Sequence, residues 1–260
     1  MKKIASLFLV VFIFQSCLGN SEKIEKLNIK HVEGNLTFSL PVSEKVDHKS
    51  WDVLLKKHVD ENGFVAYNDF LNDREQLTSY LNHLSLNVPD DSWSVQEQLA
   101  YYINLYNAAT IDLILKNYPV KSIKDINNPW GKSMITLGDK SFSLGDIEHE
   151  ILREMKDPRI HFAINCASYS CPKLLNEAFI ASKIEEQLER VTLDFINSDH
   201  NDISTTNPKL SKIFKWFKKD FKTDENQNLI SFINQYSTVK INLDAKIDYK
   251  DYNWNLNEKK

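Results

Sequence analysis

Residues 94–116 have the sequence SVQEQLAYYINLYNAATIDLILK, which predicts the central element of the fold. A capping box opens this stretch, because the Ser94 hydroxyl and the Glu97 carboxylate each satisfy a free backbone N–H at a helix start. Apolar side chains then follow on most faces of the helix, namely Leu99, Tyr102, Ile103, Tyr106, Ile111, Leu113 and Leu115. A helix that is apolar all round is a buried one. We therefore predict a long central helix with the other elements packed around it.

Two asparagines lie inside this apolar helix. Asn104 and Asn107 are three residues apart, so their side chains share one helix face. Burying an amide without hydrogen-bond partners costs about 1–3 kcal/mol, so both side chains need partners. In one interpretation they bond to neighbouring loops and fix the core. In the other they orient a catalytic group or line a pocket.

Patterns on both sides of this helix predict a mostly helical α+β fold. Apolar residues at spacings of three and four predict helices near 46–59, 73–86, 147–155, 178–196, 210–221 and 229–236. Gly138 and Asp139 separate two short apolar runs and predict a two-residue hairpin turn. Asp146 is the predicted cap of the helix that follows the hairpin. We expect a single domain, residues 46–260, with a small antiparallel sheet.

Composition and charge support a folded domain and argue against one class of partner. The chain has 260 residues, 42% of them hydrophobic, which is enough to build a core of its own. Its net charge of -4 argues against nucleic acid, because binding phosphates normally needs a basic excess. The basic run at 212–222 is interpreted as a solvated helix face. Its aromatic residues are predicted to pack in the core, and they are Phe214, Trp216, Phe217 and Phe221.

The N-terminus predicts export. Lys2 and Lys3 precede an apolar run, residues 4–14, that is too short to span a bilayer as a mature helix. Ser16 directly before Cys17 resembles a bacterial lipoprotein cleavage site, in which residues 1–16 are removed and Cys17 is lipidated. Phe14 stands where Leu is commoner, so an ordinary cleavable signal stays open. We expect an exported envelope protein whose polar residues 17–45 tether the domain to a membrane.

The stretch 157–172, DPRIHFAINCASYSCP, concentrates the potential chemistry of the chain. A turn at Asp157-Pro158 precedes an apolar segment of strand length, residues 160–167, which predicts a buried strand. A regular strand would direct His161 and Cys166 to opposite faces, because their numbers differ by an odd count. A direct pair of these two residues would then need a bulge or the strand end.

Cys166 is the candidate nucleophile. A thiol needs a base or a lowered pKa to react near neutral pH, and the candidate bases are His149 and His161. Asn104 or Glu148 would orient the imidazole, giving the Cys-His-Asn/Asp arrangement of thiol hydrolases and acyltransferases.

Other interpretations of these residues stay open. Cys166 and Cys171 can form a structural disulfide in an oxidising compartment, or simply pack as buried thiols. His149 and His161 could join the two cysteines in a zinc site, although the spacing matches no standard zinc motif. Arg159 either pairs with a neighbouring acid or binds a substrate carboxylate. We expect no metal and no cofactor.

Several motifs, in order, resemble the domain of unknown function 547 family. They are INLYNA at 103–108, LGDIEH at 144–149 with Leu152-Arg153, DPRIHFA at 157–163, NCAS at 165–168 with Cys171-Pro172, LSKIF at 210–214 with Trp216 and Asp220-Phe221, and YNWNLN at 252–257. The resemblance covers about residues 51–257 and implies no particular reaction. It implies one constellation of Asn104, Asn107, Glu148, His149, Arg159, His161 and Cys166. Plant members of this family keep a cysteine at the position of Cys166 but often carry serine at that of Cys171, which favours Cys166 acting alone.

Together these patterns predict a thiol-dependent hydrolase or acyltransferase that acts on an amide or ester in the cell envelope. Its fold would be distantly like papain or transglutaminase. The alternative is a non-catalytic envelope domain that binds a peptide, glycan or lipid headgroup and carries a structural Cys166–Cys171 disulfide. The substrate or ligand is not specified by the sequence.

Overall fold

The structure is a computed structural model, and it describes residues 45–222 and 228–260. The expected signal peptide 1–16, the lipidated Cys17 and nearly all of the tether 17–45 lie outside these residues. Within the two described ranges, no helix combines the length and the apolar character needed to cross a bilayer.

The central helix forms as predicted. Three helices precede it, α1 (Lys49–His58), α2 (Tyr67–Phe70) and α3 (Arg74–Leu86), and α4 (Val95–Asn117) is the long central one. The capping box is present, since the Glu97 N–H donates to Ser94 Oγ at 3.2 Å and the Ser94 N–H donates to Glu97 Oε2 at 2.8 Å. Every residue from 97 to 115 is buried. The other elements therefore surround α4 on all sides.

A hairpin and a series of short helices follow α4. The strands β1 (Ile135–Leu137) and β2 (Lys140–Phe142) are antiparallel, and Gly138 turns between them with a φ of 61°. A π-helix (Asp146–Leu152), α5 (Ile160–Ala163), α6 (Ile184–Ile196), α7 (Lys212–Trp216) and α8 (Leu229–Tyr236) come next. Single 3-10 turns occur at Leu71–Asp73, Ile123–Asp125, Arg153–Met155 and Ala181–Lys183. The last two strands, β3 (Lys209–Leu210) and β4 (Asp248–Tyr249), pair in parallel.

The buried apolar side chains form one connected core around α4. It is rich in aromatic rings, and its largest fully buried members include Trp51, Tyr67, Tyr101, Phe162 and Phe214. This architecture confirms the predicted α+β class with mostly helical content and a small antiparallel sheet. Helix α6 starts later than predicted and α7 is shorter than predicted.

The predicted strand at 160–167 is wrong, because α5 forms a helical turn at Ile160–Ala163. Asp157 and Pro158 form the turn that leads into this helix, and Asp157 Oδ1 accepts the Arg159 N–H at 2.9 Å. A short apolar run fits a buried helical turn as well as a strand, so periodicity alone could not separate the two. The objection to pairing His161 with Cys166 depended on a strand and no longer applies.

The predicted cap of the helix before this turn is also different. Ser143 is the capping residue, because its Oγ accepts the Asp146 N–H at 3.1 Å. Asp146 lies three residues later and accepts the Ser143 N–H at 2.8 Å, completing a capping box. The helix that follows is a π-helix, a form found often at functional sites. It carries Glu148 and His149.

Candidate functional site

Four of the residues predicted from the sequence lie around one cleft. The cleft has a volume of about 220 Å³. Its lining consists of Tyr106, Trp130, Glu148, His149, His161, Ile164, Cys166, Cys171, Ile213, Trp216, Phe217, Tyr252 and Trp254. The structure therefore brings Glu148, His149, His161 and Cys166 together. It does not place Asn104, Asn107 or Arg159 in this lining.

A tightly bonded loop presents Cys166 to the cleft. The Asn165 side chain anchors it, accepting the Ala167 N–H at 2.8 Å and donating to the Pro172 carbonyl at 2.7 Å. Ala167 has a φ of 56°, a left-handed conformation that is costly for a residue other than glycine. The Cys171 N–H closes the loop by donating to the Ser168 carbonyl at 3.0 Å. Such strain commonly marks a site that must be held in one geometry.

The two asparagines of α4 bond to backbone in neighbouring segments. Asn107 donates to the Ala163 carbonyl at 3.0 Å and accepts the Asn165 N–H at 2.8 Å. Asn104 makes the corresponding pair of bonds to Phe179, at 2.7 and 3.0 Å. Both amides are thus used up in fixing the core, and Asn104 orients neither imidazole. Asn107 acts on the site only by holding the start of the Cys166 loop.

The Cys166 thiol is surrounded by hydrogen-bonding groups. Its Sγ lies 3.0 Å from the Ser168 hydroxyl and 3.4 Å from the Tyr252 hydroxyl. The Sγ of Cys171 is also 3.0 Å away, and that sulfur accepts the Cys166 N–H at 3.0 Å. Both cysteines are free thiols. The expected alternative of a structural disulfide is therefore not the state seen here.

These neighbours change the acidity of the two thiols in opposite directions. A hydrogen bond from Cys171 lowers the pKa of Cys166 to about 7, and the Ser168 and Tyr252 hydroxyls act in the same sense against the effect of burial. Burial raises the pKa of Cys171, as does the neighbouring Cys166. A substantial fraction of Cys166 is therefore thiolate at neutral pH, whereas Cys171 keeps its proton.

His161 is held by a carboxylate. Its Nε2 lies 2.8 Å from Asp220 Oδ2, and its ring stacks on Phe217 with the ring centres 4.0 Å apart. The bond assigns the proton to Nε2 and leaves Nδ1 with a lone pair, and Nδ1 has no partner among the described residues. Burial lowers the pKa of His161 despite the opposing effect of Asp220. The ring is therefore neutral at pH 7 and able to accept a proton.

Asp220 also binds Arg153 through both of its carboxylate oxygens. The guanidinium donates from Nε at 2.6 Å and from Nη2 at 2.8 Å. Burial opposes the charge on Asp220, but the hydrogen bonds from Arg153 and His161 outweigh it and lower the pKa of that carboxyl. Arg153 Nη1 in turn lies 3.2 Å from Nδ1 of the exposed His149. The two histidines are therefore linked through one ion pair.

Glu148 supplies a buried carboxyl to the cleft. It is 7% exposed, and the Tyr106 hydroxyl donates to its Oε2 at 3.2 Å. Burial raises the pKa of Glu148, and the nearby His149 only partly opposes this. Glu148 is not bonded to either imidazole in the described structure, so it does not serve as their orienting acid. That role falls to Asp220.

Arg159 lies in a structural ion pair. Its guanidinium bonds Asp157 from Nε at 3.0 Å and from Nη2 at 2.7 Å, and a further bond from Nη2 reaches Glu185 at 2.8 Å. With two carboxylates as partners and no place in the cleft lining, this side chain fits the ion-pair interpretation rather than substrate binding. It joins the α5 turn to α6.

The aromatic wall of the cleft was not predicted. Trp216 is 46% exposed and contacts Tyr252 and Trp254, with ring centres 4.8 and 5.7 Å apart, and Trp130 meets Trp254 at 5.7 Å. The prediction that Trp216 packs in the core is wrong, whereas Phe214 and Phe221 are fully buried. Asp220, Tyr252 and Trp254 were not predicted as site residues. The only sequence signal for them is their place in or beside the family-like motifs at 210–214 and 252–257.

The cysteines and histidines of the cleft do not converge on a metal position. Across residues 45–222 and 228–260, no group of three or more His, Cys, Asp or Glu side chains is arranged to hold a metal ion. The zinc interpretation of His149, His161, Cys166 and Cys171 therefore has no geometric support in this part of the chain.

The middle of the chain matches a known protein family. Residues 91–196 match a family model described as a protein of unknown function, DUF547. The matched range contains α4, the π-helix, α5, the Cys166 loop and α6, and it confirms the resemblance over those residues. Asp220, Tyr252 and Trp254 lie beyond it. No curated protein and no solved structure matched the chain.

Proposed function

We propose that the cleft catalyses thiol-dependent hydrolysis or acyl transfer on an amide or ester. Cys166 is the nucleophile, His161 is the base and Asp220 holds the base. One observation carries the proposal. Asp220 fixes Nε2 of His161 and leaves Nδ1 unpaired, and the ring lines the same cleft as the ionisable Cys166 thiol. Cys166, His161 and Asp220 are the three types of group that make up a Cys-His-Asp triad.

The reaction would proceed in two steps. The Cys166 sulfur attacks the carbonyl carbon, the thiol proton passes to His161 Nδ1 and then to the departing amine or alcohol, and a thioester remains. Water or a second acceptor then attacks the thioester carbonyl, gives its proton to His161 and releases Cys166. No hydrogen bond joins His161 to Cys166 in the structure. Such bonds commonly tighten only in the substrate complex.

The surroundings support His161 over His149 as the base. His149 is exposed, and the lone pair on its Nδ1 is occupied by a hydrogen bond from Arg153 Nη1 at 3.2 Å. His161 is buried beside the anionic Asp220, which stabilises the imidazolium that forms during attack. Glu148, with its raised pKa, would donate a hydrogen bond to a substrate oxygen.

An activated ester tests the proposal directly. Treatment of the full chain with p-nitrophenyl acetate should release one equivalent of nitrophenolate rapidly and leave an acetyl group on Cys166. Trypsin cleaves after Arg159 and Lys173, so the adduct is located by mass on the peptide 160–173. A Cys166→Ala variant should show neither burst nor adduct. Acetylation of other residues with an unmodified Cys166 would overturn the proposal.

A second candidate function rests on the aromatic wall. Trp130, Trp216, Tyr252 and Trp254 form a continuous ring surface along the cleft, which suits binding of a peptide, glycan or lipid headgroup without chemistry. The two functions separate experimentally. A pure binding domain would lose ligand on Trp216→Ala and keep it on Cys166→Ser, and it would form no acetyl adduct with the ester.

We also propose that the protein is exported and anchored in the bacterial cell envelope through lipidated Cys17, where it meets its substrate. Lys2, Lys3, the apolar run 4–14 and the Ser16-Cys17 junction support this. Labelled palmitate should enter the wild-type protein and appear in its membrane fraction. Cys17→Ala should remain unlabelled and uncleaved. Equal labelling of the two proteins would contradict the anchor.

A further inference from the structure

In the proposed reaction Cys171 forms no covalent bond and acts only as a hydrogen-bond donor to Cys166. This thiol is 7% exposed, and its sulfur lies 3.0 Å from the Cys166 sulfur. The Cys166 N–H also donates to the Cys171 sulfur, so backbone and side-chain bonds both hold the pair together. A second reactive group fixed so close to a nucleophile needs an explanation of its own.

We propose that Cys166 and Cys171 form a reversible oxidation site that takes a hydroperoxide as its oxidant. The Cys166 thiolate attacks one oxygen of hydrogen peroxide, breaks the O–O bond and becomes a sulfenic acid, and the hydroxide that leaves takes up the proton lost by the thiol to give water. The Cys171 thiol then attacks the sulfenic sulfur, forms the disulfide and releases a second water. In sum, two thiols and one hydrogen peroxide give one disulfide and two waters. An external dithiol returns two electrons and two protons and restores both thiols.

The loop geometry favours this closure. The sulfur atoms need to approach by only about 1 Å to reach bonding distance. The hydrogen bond from the Cys171 N–H to the Ser168 carbonyl already folds residues 168–171 into a turn. The backbone is therefore close to the conformation that a disulfide requires. The two cysteines are five positions apart in the chain. The hydrogen bond from Asn165 to the Pro172 carbonyl and the one between Cys166 and Ser168 limit the positions that the two sulfur atoms can take.

Exposure assigns a different part to each cysteine. Cys166 is half-buried in the cleft wall, so a small peroxide reaches it first. It is also the more acidic thiol, which makes it the one that reacts with peroxide. Cys171 is buried and protonated behind it, and it acts once the sulfenic acid has formed. The disulfide consumes the proposed nucleophile, so oxidation would switch the site off and protect Cys166 from irreversible oxidation.

Peptide mapping of the full chain tests the sulfur chemistry. Trypsin releases both cysteines on one peptide, 160–173. After one equivalent of hydrogen peroxide, that peptide should be lighter by two hydrogen atoms, and iodoacetamide labelling of Cys166 should fall at least about tenfold. Dithiothreitol should restore the mass and the labelling. A Cys166 that becomes sulfinic acid while Cys171 stays alkylatable would overturn the proposal.

Two variants separate the roles of the cysteines. Cys171→Ser should form no disulfide, and its Cys166 should accumulate as a sulfenic acid that dimedone traps. Cys166→Ser should leave Cys171 unoxidised at the same dose of peroxide. Equal oxidation of Cys171 in this variant would contradict the assigned order. Circular dichroism of both variants establishes that they are folded.

Only the loss of activity on oxidation rests on the proposed function. Mass detection of the disulfide needs no substrate, so the two proposals fail separately. A disulfide that forms in a protein without an ester burst would support the oxidation site and overturn the hydrolase. A nitrophenolate burst that persists after peroxide treatment, with both thiols still reduced, would support the hydrolase and overturn the oxidation site.

Discussion

At the scale of single residues, the acidity of Cys166 depends on neutral donors and not on a nearby cation. The bonds from Cys171, Ser168 and Tyr252 lower its pKa to about 7. Loss of one donor destabilises the thiolate and leaves the thiol almost unaffected, so the pKa must rise.

Tyr252→Phe removes one donor while it keeps the ring in the cleft wall. We expect a higher Cys166 pKa, so alkylation by iodoacetamide at pH 7 should slow by about two- to fivefold and recover above pH 9. Tyr169→Phe is the matched control, because Tyr169 is 48% exposed and lies outside this cleft. Equal pH profiles for both variants would show that the Tyr252 hydroxyl does not stabilise the thiolate.

Asp220→Asn tests the residue that positions His161. The amide cannot stabilise an imidazolium, so acylation by p-nitrophenyl acetate should slow by about 10²–10⁴-fold. The acylation rate should rise with pH as His161 loses its proton. In the variant this rise should occur at lower pH, because Asp220 normally raises the pKa of the His161 ring. Asp251→Asn is the control, since its side chain is fully exposed. If acylation by Asp220→Asn is slower but its rate rises over the same pH range as in the wild type, Asp220 has only a structural role.

At the scale of elements, α4 was predictable because two independent signals agree, the capping box and an apolar surface on every side. The segment 160–167 was not, because a short apolar run suits a strand and a helical turn equally. Its conformation depends on the turn at Asp157-Pro158 and on contacts with α4, which are distant in sequence. The error affected the predicted site, since a strand would direct His161 and Cys166 to opposite faces.

Asn107 links the central helix α4 to the Cys166 loop, whereas Asn104 links α4 to the backbone of Phe179. Replacing either by Ala leaves buried backbone groups unpaired, so each variant should lose about 1–3 kcal/mol of unfolding free energy in urea. Asn107→Ala should in addition change the alkylation rate of Cys166, because Asn165 loses its anchor. Asn104→Ala is the control for stability alone. Equal Cys166 alkylation rates in the two variants would show that the Cys166 loop keeps its conformation without Asn107.

At the scale of the whole molecule, the site is assembled from segments that are far apart in the chain. The sequence identified Glu148, His149, His161 and Cys166 because they lie near one another in family-like motifs. Asp220, Tyr252 and Trp254 could not be assigned, because only the tertiary fold brings residues 59 and 86 positions away onto His161 and Cys166. Local patterns carry no information on such contacts.

The C-terminal segment is secured at Asn257. Tyr67 donates to Asn257 Oδ1 at 2.7 Å, and Asn257 Nδ2 donates to the Gly63 carbonyl at 3.0 Å. Asn257→Ala should lower the unfolding free energy by about 1–3 kcal/mol, because both partners are left unpaired in a buried position. Asn255→Ala, at an exposed site, should change it by less than about 0.5 kcal/mol. Similar losses for both variants would contradict this anchoring role.

The late position of Tyr252 and Trp254 also has a consequence for biosynthesis. Cys166 leaves the ribosome well before the 86 positions to Tyr252 have been added. Until then the thiol lacks the Tyr252 hydroxyl and the aromatic wall, so the pKa of Cys166 is higher than in the folded chain. Cys166 is therefore less reactive in a nascent chain. It reaches its full reactivity only when Tyr252 and Trp254 have folded back onto the loop.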